Sequence, residues 1–554
     1  MSRRSLIALG FAFACVPGPF VAAQCPDPAG QGCWAPEINS GTSPTWPSVW
    51  AVHSALLKNG KVLCIAPPSE DDPEDINVSI FDPITGTSDT SANLQQQNQP
   101  GFANPPLDLF CSGHAQLADG RVVFVGGGTL PGTAYTVVFD PDALPGNPWT
   151  KRDNIGLRTV PPTMNAHPRW YPTCTTLANG RILVTAGRDT ISDPCDADPP
   201  YEPGNIPLIL DVNQPSGQQW TWLDESARLD LMWYPFVFQT VAAGVFMGGS
   251  NYFDYMFCVH PNTSRYLNPA LSTWSAGPNY NYDCGTAVMY DVDSVLMAGG
   301  RKEYETGEPA DHVYLTTTKG EAGVWTVGPS LNVGRFESSA LVLADGSVLI
   351  IGGGHSPGGT SRLATDAERI PYRRPEWRRY SMQSGWATDW QLLAPMSEVR
   401  MYHSSTLLLP DGRVYIAGGQ WGTLPGATLQ ETAQIFSPPY LFAADGSPAS
   451  RPQVYGAPTH MYYDTAATVW MTSEADAAGI VDAKLIRLGC STHAFDQNTR
   501  GVTLKFTVSG PLVKVAGPAN AHAAPPGYYM LFLLKAGDRP YVNFPSNGMI
   551  VKLQ

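Results

Sequence analysis

The sequence has few charged residues and no excess of basic ones. Charged side chains make up 15% of the 554 residues, and the formal net charge is −14. We therefore do not expect nucleic acid or an anionic membrane surface as a partner, because both are bound through basic patches. The one local concentration of arginine, RRPEWRR at residues 373–379, is interpreted as a solvent-exposed loop.

The sequence also lacks a long apolar run after its first residues. Arg3 and Arg4 precede an apolar stretch from Leu6 to about Val21, and the small residues that follow suit a cleavage site. No later stretch approaches the ~18–20 apolar residues that span a bilayer. We predict a signal peptide at residues 1–23, cleaved near Ala23, and a secreted protein (extracellular or periplasmic) that has no membrane span and is a monomer.

The cysteines of the exported chain are odd in number. The sequence has ten cysteines, and loss of Cys15 with the signal peptide leaves nine, so at least one lies outside any intramolecular disulfide. We assign Cys111 as that residue. Because disulfides persist outside the cytosol, the other eight can form four bridges, with Cys25–Cys33 favoured by proximity: Cys25, Cys33, Cys64, Cys174, Cys195, Cys258, Cys284 and Cys490.

Glycine and proline are abundant where charge is scarce. The chain has 54 Gly and 51 Pro, with 43% hydrophobic and 10% aromatic residues. This composition favours a turn-rich all-β protein with a packed core. The length favours two folded units rather than one.

A repeated pattern of a polar turn, four or five apolar residues and a glycine pair runs through most of the chain. Asp-Gly and Asn-Gly predict hairpins with primed turns, and the glycine pairs predict inner strands that crowd a central axis. A period of about 50–65 residues is typical of kelch-type blades. We therefore predict a seven-bladed kelch β-propeller over residues 24–445. The seven turns are Asn59-Gly60, Asp119-Gly120, Asn179-Gly180, Ala243-Gly244, Asp291 to Asp293, Asp345-Gly346 and Asp411-Gly412.

Residues 446–554 follow a different pattern. Short alternating apolar runs occur at 468–471, 484–488, 502–508 and 528–534. They predict a small antiparallel, immunoglobulin-like β-sandwich as a second domain.

Five residues with metal-binding or redox side chains stand out, four beside these repeats and His493 in the C-terminal region. Cys111 lies in FCSGH, Tyr171 in RWYPT, Tyr402 and His403 in RMYHSSTLLLPDGRV, and His493 in STHAF. Two imidazoles and two phenols with an open position suit Cu(II). Oxidation of an alcohol by dioxygen moves two electrons and one copper cycles through one, so a second one-electron centre is needed. A sulfur-substituted tyrosine can supply it.

In these motifs the chain resembles the galactose oxidase and glyoxal oxidase family of mononuclear copper radical oxidases. Six motifs occur in the family's order: FCSGH, RWYPT, RMYHSSTLLLPDGRV, FSPPYL, STHAF and APPGYYMLF. The extra N-terminal sugar-binding domain of galactose oxidases is absent from this sequence. The resemblance is therefore nearer to glyoxal oxidase-like members.

The resemblance implies one copper ion per chain and a protein-derived radical. Cys111 and Tyr171 are expected to be joined by a thioether, and the expected copper ligands are Tyr171, Tyr402, His403 and His493. Tyr402 is the expected general base, and the Tyr171 radical is expected to take a hydrogen atom from the substrate. The implied reaction oxidises glyoxal-type aldehydes or primary alcohols with O2 and yields hydrogen peroxide.

Two features leave alternatives open. Tyr402 and His403 are adjacent, so in an extended strand they point to opposite faces and share a metal only where the backbone bends. The tryptophan that stacks on the cross-linked tyrosine in galactose oxidases is absent from residues 186–200. Either another aromatic residue shields Tyr171, or the radical is more exposed. The alternative function is a non-catalytic kelch propeller that binds glycans or a protein partner.

The remaining histidines are not assigned to the site. His114 and His522 lie near matching motifs but are placed outside the ligand set. His53 is interpreted as an ordinary structural histidine.

Overall fold

The structure is a computed structural model of the chain. The predicted signal peptide and three of the cysteines, Cys195, Cys258 and Cys284, lie outside the residues that it describes. None of the described helices is both long and apolar enough to cross a membrane. The described residues are 25–38, 51–66, 75–90, 94–95, 108–128, 133–155, 168–187, 206–229, 231, 233–241, 244–252, 263–279, 282–283, 285–302, 312–317, 325–355, 370–381, 384–421 and 428–554.

The described part of the chain is almost entirely β-structure, as its composition predicts. Its α-helices, α1 (Pro28–Gln31) and α2 (Glu474–Ala478), are single turns, and short 3-10 helices occupy Pro141–Ala143, Glu225–Ala227 and Pro439–Leu441. The strands up to residue 222 are β1 (Cys33–Trp34), β2 (His53–Leu56), β3 (Val62–Ile65), β4 (Asp75–Ile76), β5 (Val78–Asp82), β6 (Thr87–Asp89), β7 (Leu94–Gln95), β8 (Gly113–Gln116), β9 (Val122–Val125), β10 (Thr136–Phe139), β11 (Trp149–Lys151), β12 (Thr173–Thr176), β13 (Ile182–Thr185), β14 (Leu208–Leu210) and β15 (Trp220–Trp222).

The strands from residue 233 to residue 437 are β16 (Trp233–Gln239), β17 (Val245–Tyr252), β18 (Thr263–Asn268), β19 (Thr273–Asn279), β20 (Tyr282–Asp283), β21 (Thr286–Asp291), β22 (Ser294–Ala298), β23 (Arg301–Lys302), β24 (Val313–Thr317), β25 (Trp325–Val327), β26 (Phe336–Val342), β27 (Val348–His355), β28 (Ile370–Pro371), β29 (Glu376–Arg378), β30 (Tyr380–Ser381), β31 (Gly385–Trp386), β32 (Gln391–Leu392), β33 (Tyr402–Leu408), β34 (Val414–Trp421), β35 (Thr428–Leu429) and β36 (Ala433–Ser437).

Within the described residues these strands form seven successive antiparallel sheets with four main strands each. In chain order they are sheet 1 (β2-β3-β5-β6), sheet 2 (β8-β9-β10-β11), sheet 3 (β12-β13-β14-β15), sheet 4 (β16-β17-β18-β19), sheet 5 (β21-β22-β24-β25), sheet 6 (β26-β27-β29-β32) and sheet 7 (β33-β34-β36-β1). The first strands of sheets 2 to 7 pack in that order, β8 against β12 through to β26 against β33, and β33 packs against β2 of sheet 1. The residues that precede these first strands are therefore brought close together.

Ala243, in one of the predicted turns, lies outside the described residues. The Asp-Gly and Asn-Gly turns lie at the predicted positions, but they are not primed. At the first, the Gly60 N–H donates to the Leu57 carbonyl at 2.8 Å and only the glycine has positive φ, 82°. The Oδ1 of Asn59 accepts from the Lys61 N–H at 3.1 Å. This is a turn with negative φ at its central residues followed by a left-handed glycine, as in a type I turn with a bulge. The polar residue is needed for its side-chain acceptor rather than for positive φ.

Buried arginines explain the glycine pairs better than crowding at an axis does. Three of them, Arg169, Arg335 and Arg400, are at most 1% exposed and lie where one sheet leads into the next. The carbonyl of Arg400 accepts from the Gly353 N–H of the preceding sheet at 2.8 Å. At Gly352, where φ is 74°, a Cβ would overlap that carbonyl. The glycines therefore allow adjacent sheets to approach.

The prediction that residues 373–379 form an exposed loop is wrong. Part of this segment is strand β29, in which Glu376 and Trp377 are 0% and 1% exposed. Glu376 forms a buried ion pair with Arg335 and accepts from the Asn332 N–H at 2.6 Å. Glu376 and Arg335 can be buried because each neutralises the charge of the other.

The cysteines follow the prediction only in part. The Cys25–Cys33 disulfide is present, and it lies beside β1, which pairs with β36 to complete sheet 7. The expectation of four bridges is wrong, because Cys64, Cys174 and Cys490 are buried free thiols. Burial raises the pKa of Cys64 to about 12, so this thiol stays protonated.

The C-terminal region forms two facing sheets, β37-β39-β45-β44 and β38-β48-β46-β40-β43, as the alternating runs predict. One hairpin, β41-β42, leaves this sandwich and joins sheet 1, where Thr492 pairs with His53. The strands are β37 (Val454–Gly456), β38 (His460–Met461), β39 (Ala466–Met471), β40 (Ile480–Arg487), β41 (Cys490–Thr492), β42 (Phe495–Asp496), β43 (Gly501–Thr503), β44 (Phe506–Ser509), β45 (Leu512–Ala516), β46 (Gly527–Ala536), β47 (Asn543–Pro545) and β48 (Met549–Leu553).

Candidate metal centre

The centre is built from positions that precede or begin the first strands of successive sheets. Cys111 stands just before β8 and Tyr171 just before β12. The Tyr171 N–H donates to the Cys111 carbonyl at 3.0 Å, and the Tyr234 N–H donates to the Tyr171 carbonyl at 2.9 Å. These bonds hold equivalent positions of sheets 2, 3 and 4 side by side, so their side chains converge.

Left-handed backbone conformations turn the side chains of the centre towards one another. The φ angle is 62° at Cys111, 64° at Tyr171, 46° at Tyr234, 63° at His403 and 50° at His493. A non-glycine residue costs about 1–2 kcal/mol in this region, and such strain persists where the surrounding structure fixes it, often at functional sites.

The bend expected between Tyr402 and His403 is present. The ladder between β33 and β34 pairs Tyr402 with Gln420 and Ser404 with Gly418, and it skips His403. Because of its left-handed φ, the His403 ring lies 3.8 Å from the Tyr402 ring, centroid to centroid. Two adjacent residues therefore face one cluster.

His493 reaches the cluster on the loop of the β41-β42 hairpin. The Ala494 N–H donates to the Ser404 carbonyl of sheet 7 at 2.7 Å, which ties the loop to the strand that carries His403. The Oδ1 of Asp496 accepts three backbone N–H bonds at 2.9 Å across the hairpin. The second domain thereby contributes a side chain to a site formed mainly by the sheets.

The structure brings the five predicted site residues into one cluster. The Cys111 Sγ lies 3.7 Å from the His493 Nε2, and the hydroxyls of Tyr171 and Tyr402 are hydrogen bonded. Potential ligand atoms of Cys111, His403 and His493 all lie within 4.8 Å of one another, and the three residues are buried. The rings of His403 and His493 are 4.6 Å apart, centroid to centroid.

Hydrogen bonds to the outer nitrogens orient both imidazoles. The Nδ1 of His403 bonds to the Gln420 Oε1 at 2.6 Å, and the Nδ1 of His493 bonds to the Thr492 Oγ1 at 2.6 Å. Because an amide oxygen is only an acceptor, His403 carries its proton on Nδ1 and its lone pair on Nε2. Partners of this kind are typical around metal-binding histidines.

Burial sets the protonation of the cluster. It raises the pKa of the Cys111 thiol and the Tyr171 phenol well above their ordinary values, and it lowers the pKa of His493 well below its ordinary value. The imidazole is therefore neutral and able to ligate. At neutral pH the phenol and the thiol keep their protons, and they would release them only when a cation binds beside them.

Trp233 and Tyr234 belong to the centre, and sequence reasoning missed both. The Trp233 ring stacks on Tyr171 with centroids 5.3 Å apart and planes at 24°, and Trp170 packs edge-on against the same ring at 4.1 Å. The Tyr234 hydroxyl donates to the Ser112 carbonyl at 3.0 Å. The signal was available, because the tripeptide Trp-Tyr-Pro occurs at residues 170–172 and again at 233–235.

The histidines that were not assigned to the site differ in burial and in their distance from it. His522 is exposed on the C-terminal domain. His53 and His114 are buried, and the His53 ring lies 5.8 Å from that of His493, centroid to centroid. Burial lowers the pKa of His114 to about 4. The interpretation of His53 as an ordinary structural histidine therefore did not anticipate its place beside the centre.

Comparisons with known proteins agree with this arrangement. A family model described as "Galactose oxidase-like, Early set domain" matches residues 451–553. Galactose oxidase of Gibberella zeae (strain PH-1) is 27% identical over 540 residues, covering 93% of this chain and 70% of that protein. Aldehyde oxidase GLOX of Vitis pseudoreticulata is 25% identical over 459 residues, covering 78% of this chain and 80% of that protein.

A solved structure shares the fold. A fungal alcohol oxidase of the AA5 family in complex with copper superposes with a TM-score of 0.73 at 22% identity, covering 94% of this chain and 99% of that one. The resemblance indicated by the six motifs is confirmed.

Proposed function

We propose that this chain is a secreted copper radical oxidase, because it is a relative of the galactose oxidase and glyoxal (aldehyde) oxidase family of copper radical oxidases. The seven sheets would be the blades of a kelch propeller over residues 24–445, followed by an immunoglobulin-like domain over 446–554. The convergence of Cys111, Tyr171, Tyr402, His403 and His493 in one buried cluster carries the proposal. The Cys25–Cys33 disulfide supports an exported chain.

The donor set fits copper. The ion would be held by the inward Nε2 atoms of His403 and His493 and by the two bonded phenol oxygens of Tyr171 and Tyr402. Imidazole with phenolate suits Cu(II), the tightest binder among the first-row divalent ions. Bound copper would supply a Lewis acid for the substrate oxygen and a one-electron acceptor.

Cys111 and Tyr171 supply the second redox centre. The Tyr171 N–H donates to the Cys111 carbonyl at 3.0 Å, and both side chains lie in the same buried cluster. Joining the sulfur to a ring carbon of Tyr171 removes one hydrogen from each residue, and dioxygen accepts both as hydrogen peroxide. The sulfur then delocalises the unpaired electron of the oxidised tyrosine. Trp233 covers one side of the ring and would protect the radical from solvent.

Tyr402 and Tyr171 have different roles in substrate oxidation. Tyr402 takes the hydroxyl proton as general base, and the Tyr171 radical takes a hydrogen atom from the neighbouring carbon. The net reaction turns a primary alcohol and O2 into an aldehyde and hydrogen peroxide; an aldehyde hydrate gives the acid in the same way. Tyr171, His403 and His493 are at most 5% exposed, whereas Tyr402 is partly accessible, so the substrate would approach on the side of Tyr402.

The substrates that fit best are small aldehydes, as their hydrates, and simple primary alcohols. The named relatives oxidise different substrates: one is a galactose oxidase, another an aldehyde oxidase. In this chain Trp233, from the start of sheet 4, is stacked on the radical tyrosine, and residues 186–200 hold no tryptophan. This difference favours glyoxal-type substrates over galactose.

Peptide mass mapping of the copper-loaded, air-exposed chain tests the proposal. The peptides of Cys111 and Tyr171 should travel as one species, two hydrogens lighter than their sum and resistant to reductant. Peroxide release should follow on addition of glyoxal-type aldehydes or primary alcohols. Tyr171→Phe should keep the fold and some copper but lose the activity. Separate peptides despite bound copper would instead favour a non-catalytic propeller that binds a glycan or a partner.

A further inference from the structure

A second pair of metal-binding side chains lies beside the candidate metal centre. His53 on β2 and His114 on β8 are 1% and 0% exposed, and their ring centroids are 5.3 Å apart. The His53 ring is also 5.8 Å from the His493 ring. Neither residue belongs to the donor set proposed above.

The ring nitrogens of this pair are not used by the fold. Neither nitrogen of His53, and neither of His114, has a hydrogen bond of ordinary geometry to any residue in the described part of the chain. The Ser54 backbone lies beside the His114 ring without closing such a bond. A buried polar atom without a partner costs about 1–3 kcal/mol. Unpartnered nitrogens on two neighbouring buried rings therefore indicate a ligand.

We propose that His53 and His114 together bind one cuprous ion, in addition to the ion of the main centre. The spacing of the two rings fits a shared ion. A metal about 2.0–2.1 Å from an imidazole nitrogen lies roughly 3 Å from the ring centroid, so two imidazoles on one ion have centroids at most about 6 Å apart. The observed 5.3 Å is within this limit and leaves room for a bent arrangement.

The surroundings select the charge of the ion. The ionisable groups that act on His53 are themselves imidazoles, His114 and His403. The ring of Phe124 stacks on His114 at 5.3 Å with planes at 10° and forms an apolar wall. In the described part of the chain no carboxylate is among the groups that act on His53. A divalent ion is therefore disfavoured, because the cost of burying an ion rises with the square of its charge. Imidazole suits copper, and the monovalent state of copper meets the charge condition.

An anaerobic titration tests the second site. The metal-free full chain is titrated with Cu(I) in competition with a chromogenic chelator, and we expect two equivalents per chain. His53→Leu and His114→Leu should each retain one. The matched control, His460→Leu, removes an exposed histidine of the C-terminal domain and should retain two. Circular dichroism and thermal unfolding establish that each variant is folded.

Several results would overturn the proposal. A wild-type chain that takes up a single equivalent contradicts it, as do folded His53→Leu and His114→Leu variants that keep two. Should these variants fail to fold, copper-edge anomalous diffraction from Cu(I)-soaked wild-type crystals decides, since a peak between His53 and His114 is required. His403→Gln separates this proposal from the proposed function. If His403→Gln loses the ion of the main centre but still binds one equivalent of Cu(I), the two sites are independent. If it binds no Cu(I), the two sites are not independent and the proposal is contradicted.

Discussion

Replacing Gln420 should weaken copper binding at His403 while leaving the fold intact. Gln420 lies on β34 opposite Tyr402 and is 6% exposed, and its Oε1 accepts from the His403 Nδ1 at 2.6 Å. Gln420→Leu keeps much of the volume and removes the acceptor. The imidazole then loses the bond that fixes its proton on Nδ1 and its ring orientation.

Gln420→Leu should change both stability and copper affinity. The unpaired Nδ1–H of His403 costs the fold about 1–3 kcal/mol whether or not metal is bound. Loss of a hydrogen-bond partner behind a metal ligand lowers metal affinity by about 10–100-fold, which corresponds to about 1.4–2.8 kcal/mol. We therefore expect the Kd for copper to rise by about 10–100-fold. Gln420→Glu should bind at least as tightly as the wild type, because a carboxylate holds the Nδ1 proton more strongly.

The assay is a copper competition titration of the three proteins with a chelator of known affinity. Gln434→Leu is the matched control, because Gln434 lies on the adjacent strand β36, is 1% exposed and bonds to Ser397 at 2.8 Å rather than to a histidine. The control should lose stability but keep its Kd. An unchanged Kd in a folded Gln420→Leu chain would refute the reasoning.

Three further predictions follow from buried groups. Burial raises the pKa of Asp496 from 3.8 to about 6, so between these pH values the folded chain binds a proton that the unfolded chain releases, and stability falls as pH rises. In urea unfolding at several pH values, Asp496→Asn should make this fall in stability smaller. An unchanged dependence of stability on pH would contradict the assignment. Trp233→Leu should keep copper content but shorten the radical lifetime in electron paramagnetic resonance, and an equal lifetime counts against shielding. Glu376→Gln leaves Arg335 uncompensated and should cost about 3–5 kcal/mol in denaturant unfolding. The exposed control Asp389→Asn should cost about 0–1 kcal/mol, and equal losses would contradict the role of burial.

The sequence was informative where local chemistry repeats. The Asp-Gly and Asn-Gly dipeptides marked the hairpins because a side-chain acceptor followed by a left-handed glycine is a local requirement. Their turn type was missed, since the same dipeptide serves both primed turns and the bulged turns that occur here. The five site residues were found through motifs shared with a family, not through spacing, because residues 111 to 493 meet only once the sheets are arranged.

What the sequence could not give depends on distant partners. The burial of Glu376 follows from Arg335, which lies in another segment, and composition alone suggested solvent exposure. His53 looked ordinary because its neighbours, His114 and His493, come from a different sheet and a different domain. Trp233 was within reach, since it repeats the Trp-Tyr-Pro context of Tyr171.

The β41-β42 hairpin has a consequence for the order in which the molecule is made. Domains generally fold as units during synthesis, the N-terminal one first. The strand that receives this hairpin, β2, is made early, whereas the loop with His493 is made late. The donor set therefore stays incomplete until the chain has been made as far as the β41-β42 hairpin and this hairpin has paired with sheet 1. If the proposed copper site is correct, metal uptake would follow the docking of this hairpin, and a chain truncated before His493 would lack one of the donors.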